Sequence, residues 1–176
     1  MNAPPAFRRQ LLQSIPRLRR YARSLAFDAT LADDLTQQTL ERALTRWRQF
    51  DAQRDILVWL LSIAHNAHFD ALRRDARLSF ADPVELEQVQ DAAGADAGVD
   101  IGLRLDLQAA LARLTAQQRE PLLLVCVEQL SYAEVAEVMG IPAGTVMSRV
   151  FRARALLRRF LNGEQVAAPP ALRRVV

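Results

Sequence analysis

At 176 residues the chain has room for one domain or two small ones, and with 51% apolar residues it can bury a core, which excludes a wholly disordered polymer. No run of about 18 or more apolar residues occurs, which excludes a transmembrane helix, and "MNAPPAFRRQLLQSIPRLRR" lacks the long apolar centre of a secretory signal. The formal charge of +3 conceals an asymmetry that points to a polyanionic partner: residues 1–78 hold 13 Arg against 8 acids, residues 79–102 hold 6 acids and no cation, and residues 103–176 hold 10 Arg against 6 acids.

In the first block, Leu11, Leu12, Ile15, Leu18, Ala22 and Leu25 recur at three- and four-residue steps and predict an amphipathic helix. Thr30 is expected to cap a second helix, with Asp33 and Asp34 in its first turn, where the helix dipole favours anions. That helix should run to about Gln49 on an apolar row of Leu31, Leu35, Leu40, Ala43, Leu44 and Trp47. Its opposite face carries Asp34, Gln37, Gln38, Glu41, Arg42 and Arg48. A third helix, from about Ile56 to Arg77, opens as "ILVWLLSIA" and closes as "HNAHFDALRRDAR". Such a change of character along one helix fits burial at one end and a partner at the other. An amide and an aromatic beside arginines (Asn66, His65, Phe69, Asp70, Arg73, Arg74) suit an unstacked base, read by ring stacking and edge hydrogen bonds. An ordinary polar helix end is the alternative. His65 and His68 lack the further ligands that a metal site needs.

The acidic stretch "SFADPVELEQVQDAAGADAGVDIG", residues 79–102, breaks the helical period with Pro83, Gly94, Gly98 and Gly102, and reads as a linker. Beyond it, "LRLDLQAALARL" and "AQQREPLLLVCVEQ" predict two helices. The single Cys126, in an apolar run, is expected to be a small core residue in a reducing compartment. In "SYAEVAEVMG", Ser131 and Glu134 make a capping box and Gly140 suits a left-handed stop. Pro142 then stands near the start of a last helix. A short helix, a tight turn and a longer basic helix form a helix-turn-helix pattern.

In that last helix Val146, Val150, Ala153 and Leu157 share one face, while Thr145, Ser148, Arg149 and Arg152 lie on others near its start. No Asp or Glu occurs between 138 and 163 to pair with its arginines. The first turns of such a helix enter the major groove, where arginine pairs with guanine and hydroxyls bond phosphates or base edges. A solvated hairpin and a membrane-surface helix are the other readings. The adjacent Asp33 and Asp34 diverge on a helix, and no Ser–His–Asp set, phosphate-cradling loop or Cys pair occurs, so no enzyme site is expected and no cofactor is implied.

Three stretches in this order and spacing, "ADDLTQQTLERALTRW", "WLLSIAHNAHFDALRR" and "LSYAEVAEVMGIPAGTVMSRVFRAR", resemble the extracytoplasmic-function sigma factors, bacterial RNA polymerase specificity subunits of the sigma-70 family. The resemblance covers roughly residues 8–78 and 103–161. It implies an all-α chain of two small helical domains: a sigma-2 bundle at 6–78 and a sigma-4 helix-turn-helix at 103–161. They would be joined by a flexible acidic linker at 79–102 and followed by a disordered tail at 162–176. It implies a cytoplasmic, non-enzymatic subunit that binds core RNA polymerase and promoter DNA and is controlled by an anti-sigma factor, without membrane insertion. A free-standing helix-turn-helix regulator is the alternative.

Carried over by position, Asp34, Gln37, Gln38, Glu41 and Arg42 would dock on the clamp coiled coil of the largest polymerase subunit, and sigma-4 would meet the flap. His65, Asn66, Phe69, Asp70, Arg73, Arg74 and Arg77 would recognise and melt the −10 element, with Asn66 lining a pocket for a flipped base. Thr145, Met147, Ser148, Arg149, Phe151 and Arg152 would read the −35 element. The linker would thread channels of the polymerase that otherwise hold nucleic acid. The chain departs from the pattern in three places. Gln37-Gln38 replaces a Gln-acid pair, "DAQRDILVW" lacks a glycine, and Met147 stands where many members carry a basic residue. With the first helix starting almost at once, no autoinhibitory N-terminal region and no appended C-terminal domain are expected.

Overall fold

A computed structural model of the protein describes residues 3–26, 28–78 and 101–163. The expected linker and tail lie mostly outside them, although Ile101 and Gly102 already belong to a helix. Among the described residues every regular element is helical.

The first helix, α1 (Pro5–Ala26), buries Phe7, Leu11, Ser14, Leu18, Tyr21, Ala22 and Leu25. Leu12, expected on this row, is 65% exposed. Ser14 takes the buried position instead, and its hydroxyl is satisfied by donating to the Gln10 carbonyl at 2.9 Å. The second helix, α2 (Ala29–Thr45), is capped by Asp28 rather than Thr30. The Asp28 carboxylate accepts from the Leu31 N–H at 2.8 Å, a charge-assisted bond at the positive end of the helix dipole. Asp33 and Asp34 therefore fall in the second turn, not the first.

The buried face of α2 is also rotated from the expected one. It consists of Ala32, Leu35, Thr36, Thr39 and Ala43, whereas Leu31 and Leu44 are exposed. Thr36 and Thr39 donate to the Ala32 and Leu35 carbonyls at 2.8 and 2.7 Å. With their hydroxyls satisfied within the helix, their methyl groups pack like small apolar side chains, and α2 can lie close to α1 and α3. The helix stops at Thr45, and the expected last turn is a separate 3₁₀ turn at Trp47–Gln49. Phe50 then stacks with Phe7 and Trp59, ring centroids 5.7 and 5.3 Å apart, and pins this turn against α1 and α3. The third helix, α3 (Ile56–Leu78), starts where Asp55 accepts from the Leu57 N–H at 2.7 Å.

The second unit comprises α4 (Ile101–Ala112), α5 (Ala116–Cys126), α6 (Tyr132–Met139) and α7 (Ala143–Leu161). The capping box of Ser131 and Glu134 forms as expected, and the Ser131 hydroxyl and N–H, both donating to Glu134 Oε2, hold that carboxyl below its ordinary pKa. Gly140 closes α6 at φ 63°, a left-handed conformation that only glycine adopts without strain. Pro142 occupies the capping position before α7. Cys126 departs from expectation. It ends α5 on the exposed side, its sulfur 3.3 Å from Nη2 of Arg154, because α5 buries Leu122, Leu123 and Leu124 instead.

Two small clusters, around Phe7 and Leu60 and around Ala22 and Ala67, belong to the first unit alone, but the largest is shared. One apolar cluster joins Leu18, Tyr21, Leu25, Leu57, Val58, Leu61 and Ala64 of α1 and α3 to Leu114, Leu122, Leu124, Leu130, Val135, Val138, Met139, Val146, Val150 and Ala153. Leu61 is fully buried within it. Leu61→Ala should therefore cost about 2–5 kcal/mol. Denaturant unfolding should show this as an earlier midpoint felt by tryptophan fluorescence and by helix content together.

Candidate nucleic-acid interfaces and the seam between them

The helix-turn-helix geometry follows from which side of α7 is buried. Val146, Val150 and Ala153 are at most 1% exposed and lock α7 onto α5 and α6. The opposite side is presented to solvent. Met147 and Phe151, one turn apart, are 53% and 75% exposed. Such exposure of large apolar groups marks a contact surface when they adjoin one another. With Arg152, Arg154, Ser148 and Tyr132 they line a shallow groove of about 520 Å³. Arg152 is exposed, while Arg149 and Thr145 are half-buried. Ser148 donates to the Thr145 carbonyl at 2.9 Å, so its oxygen faces outward mainly as an acceptor. The six expected residues thus occupy neighbouring turns of one helix start.

On α3, Asn66, Asp70, Arg73 and Arg74 are exposed along the polar half of the helix. Arg73 pairs with Asp70 at 3.0 Å and also donates to the Phe69 carbonyl at 3.2 Å. The Phe69 ring lies 4.7 Å from His65 and edge-on to His68 at 5.5 Å. The side chain of Arg77 lies outside the described residues. On α2, Asp34, Gln37 and Glu41 are exposed and Gln38 and Arg42 half-buried, opposite the Ala32–Thr36–Thr39–Ala43 face. These five form one polar stripe at three- and four-residue spacing.

The residues that the sequence pattern did not single out lie between the two units. Glu120 of α5 and Glu128 beyond it are at most 1% exposed. Glu120 Oε1 accepts from the Tyr21 hydroxyl at 2.5 Å and lies 2.6 Å from Nδ1 of His65. Glu128 accepts from Arg20 Nε at 3.0 Å and Arg17 Nε at 3.1 Å. The Arg17 Nη2 donates to the Glu128 carbonyl at 2.5 Å, and Arg119 Nη2 to the Leu25 carbonyl at 2.7 Å. Burial lowers the Arg119 pKa to about 10, and desolvation together with the Glu120 charge holds the Tyr21 hydroxyl well above its ordinary value. His65, expected to face DNA, is thus held by the second unit in this arrangement. The available signal was the placing of charged residues within "REPLLLVCVEQL", an otherwise apolar run, since buried charges occur only with partners. His68 is also drawn in. Burial lowers its pKa most, the charges of Arg119 and His65 lower it further, and Glu120 opposes them.

Among the described residues no helix is long and apolar enough to cross a membrane, and no three His, Cys, Asp or Glu side chains are grouped to hold a metal. Residues 104–157 match the family model described as sigma-70, region 4, and residues 11–65 that described as the sigma2 domain of PhyR. The ECF RNA polymerase sigma factor EcfG of Rhodopseudomonas palustris (strain TIE-1) is 34% identical over 162 residues, covering 92% of this chain and 88% of its own length. The sigma factor RpoE of Bartonella quintana, solved in complex with the anti-sigma factor NepR, has a TM-score of 0.81 at 31% identity. It covers 92% of this chain and 100% of that one. CnrH, solved with the cytosolic domain of CnrY, has a TM-score of 0.65 at 28% identity, covering 91% of this chain and 90% of that one.

A histidine whose folded pKa is lowered is kept neutral by the fold. Its contribution to stability is present above 6.5 and is lost as the pH falls below that value. The imidazole signal of His68 should accordingly titrate with a midpoint below 6.5. A midpoint at or above it would mean that the ring is solvated in solution.

Proposed function

The chain belongs to the extracytoplasmic-function sigma factors of RNA polymerase, and from that premise we propose how its three exposed faces divide the work of promoter-specific initiation. The α7 face reads duplex −35 DNA. Arg149 and Arg152 supply forked donors for guanine edges or phosphates, and Ser148 an outward-facing hydroxyl. Met147 and Phe151 cannot hydrogen-bond a base, but they can cover a thymine methyl group. This exposed apolar pair, set on a helix that buries Val146, Val150 and Ala153 on its other side, is the observation that carries the assignment.

The polar half of α3 takes the −10 element. Asn66 offers amide donors and acceptors to an extruded base, Phe69 and His65 offer rings, and Arg73, Arg74 and Arg77 offer positive charge to the strand. The stripe of Asp34, Gln37, Gln38, Glu41 and Arg42 on α2 meets the polymerase clamp. Gln38 in place of an acid leaves that contact one charge short. The protein works in the cytoplasm, where its polymerase is, and is held inactive by an anti-sigma protein. Support for that partner comes from the complexes of similar chains with NepR and with the cytosolic domain of CnrY. Reading both promoter elements together requires the two units to separate. The elements lie roughly 25 base pairs apart, about 85 Å of duplex, whereas the 23 residues of α3, the longest described helix, span about 35 Å.

Addition of the chain to core polymerase should yield RNA from a specific promoter, measured by run-off transcription. DNA binding with no effect on core polymerase would instead favour a free-standing regulator. In the same assay, Asn66→Ala should depress open-complex formation while leaving −35 binding intact. Met147→Arg should change base preference at the −35 element more than total affinity, measured on a randomised −35 library. An unchanged preference would remove Met147 from the groove.

A further inference from the structure

Cys126 and Arg154 are 28 positions apart and come together at the edge of the α7 face, where Arg154 Nη2 donates to the Cys126 sulfur at 3.3 Å. Arg154 is exposed, and it continues a row. Met147, Phe151 and Arg154 stand at i, i+4 and i+7 along one edge of α7 and line the same shallow groove, with Tyr132, the first residue of α6, beside them. Arg152, two positions earlier, lies about 200° round the helix and shares its row with Ser148 instead. The exposed apolar pair is thus followed on its own edge by a cation. Seven residues of helix advance about 10 Å, close to the roughly 12 Å width of the major groove. An edge that puts Met147 at the level of the bases therefore brings Arg154 to the sugar–phosphate strand that bounds them.

The partner of Arg154 differs from those of other arginines in the chain. Arg17 and Arg20 are tied to Glu128, Arg54 to Glu137 and Arg73 to Asp70, so each has a carboxylate against its charge. Arg154 has no acid on its own helix, since none occurs from 138 to 163. It is held by a sulfur, which accepts a hydrogen bond weakly and cancels no charge. A long, exposed arginine loses much side-chain freedom when it binds, and one already directed by a neighbour loses less. Cys126 directs the guanidinium in this way and leaves it fully charged for an anion. The contact also gives a use to a cysteine that ends α5 on the exposed side and fills no core.

We propose that Arg154 is a phosphate contact of the −35 face and that Cys126 is its positioning residue, holding the guanidinium on the rim of the groove from α5. This rests on the assignment of α7 as the −35 reader. Phosphate contacts set register and affinity but carry no sequence information. The pair accordingly governs how tightly the −35 element is held, and leaves the choice of bases to Met147, Ser148, Arg149 and Arg152.

The test uses holoenzyme, the full chain bound to core polymerase, and a fluorescent promoter duplex whose −35 element is drawn from a randomised −35 library. Dissociation constants are read between about 50 and 200 mM salt. Arg154→Gln should weaken binding about threefold to tenfold at the lower salt. It should also reduce the slope of log affinity against log salt concentration by about 0.9, the value of one phosphate contact on duplex DNA. Arg154→Lys should keep that slope, and base preference across the library should be the same for Arg154→Gln as for the unaltered chain. Cys126→Ala should weaken binding about twofold to threefold. Cys126→Ser, which keeps an acceptor, should recover most of that loss, and Cys126→Ala should add nothing once Arg154→Gln is present. Circular dichroism checks that each variant keeps its helices. An unchanged salt slope or an altered base preference in Arg154→Gln would overturn the phosphate contact. No loss in Cys126→Ala, or a loss that persists in full beside Arg154→Gln, would overturn the positioning role. Arg152→Gln separates this inference from its premise. If it weakens binding and Arg154→Gln does not, only the Arg154 contact falls; if neither does, α7 is not the −35 reader and the contact falls with it.

Discussion

The Glu120 carboxylate is shut away from water, and it is held there by a phenol from one helix and an imidazole from another. A buried charge without partners is strongly unfavourable, so the two donors on Oε1 constrain where α5 meets α1 and α3, although Oε2 has no partner. Much else depends on that docking. Leu18, Tyr21, Leu57 and Leu61 share one buried cluster with Leu122, Leu124, Val135 and Val138 from the other side. The seam adds a shared cluster to the two that lie within α1–α3 alone.

The nucleic-acid faces depend on the fold in a different way. On α7 the buried row of Val146, Val150 and Ala153 fixes the rotation of the helix about its axis, and the turn at Gly140 fixes its angle to α6. Together they decide that Met147, Phe151 and Arg152 emerge on one side. On α3 the arrangement runs along the helix: the first half is inserted in the core, and the second half carries Asn66 and its arginines out of it. One helix is thus divided around its circumference and the other along its length.

Sequence periodicity made the seven α-helices among the described residues and the helix-turn-helix legible because 3.6-residue spacing and capping chemistry are local properties. Ser131, Glu134 and Gly140 state the end of one helix and the start of another without help from distant residues. Where the reading of α2 went astray, the cause was also physical. Leucine was taken as the mark of the buried face, but a close helix approach favours Ala32, Thr36, Thr39 and Ala43, and leaves Leu31 and Leu44 in water. Asp28 outcompeted Thr30 as a cap because a charged acceptor binds an N–H more strongly than a hydroxyl does. Pattern offered only a hint of the seam, charged residues set in the apolar run "REPLLLVCVEQL", and nothing of which residues they meet. Arg17, Arg20, Glu120 and Glu128 look like solvated charges until α1 meets α5 and the loop after it, about a hundred positions on. The same is true of Cys126, whose neighbours in sequence are apolar but whose side of the helix is not.

A core shared across the seam changes what the covalent connection between α3 and α4 does. By joining α3 to α4 the covalent connection makes the meeting of two complementary surfaces intramolecular, which raises their effective concentration. Cutting the chain there would remove that advantage and leave the side chains of the seam in place. The two fragments would still carry matching carboxylates, arginines and leucines. The seam is in this sense a heterodimer interface that happens to lie within one polypeptide, and its strength could be measured as the dissociation constant of the two halves.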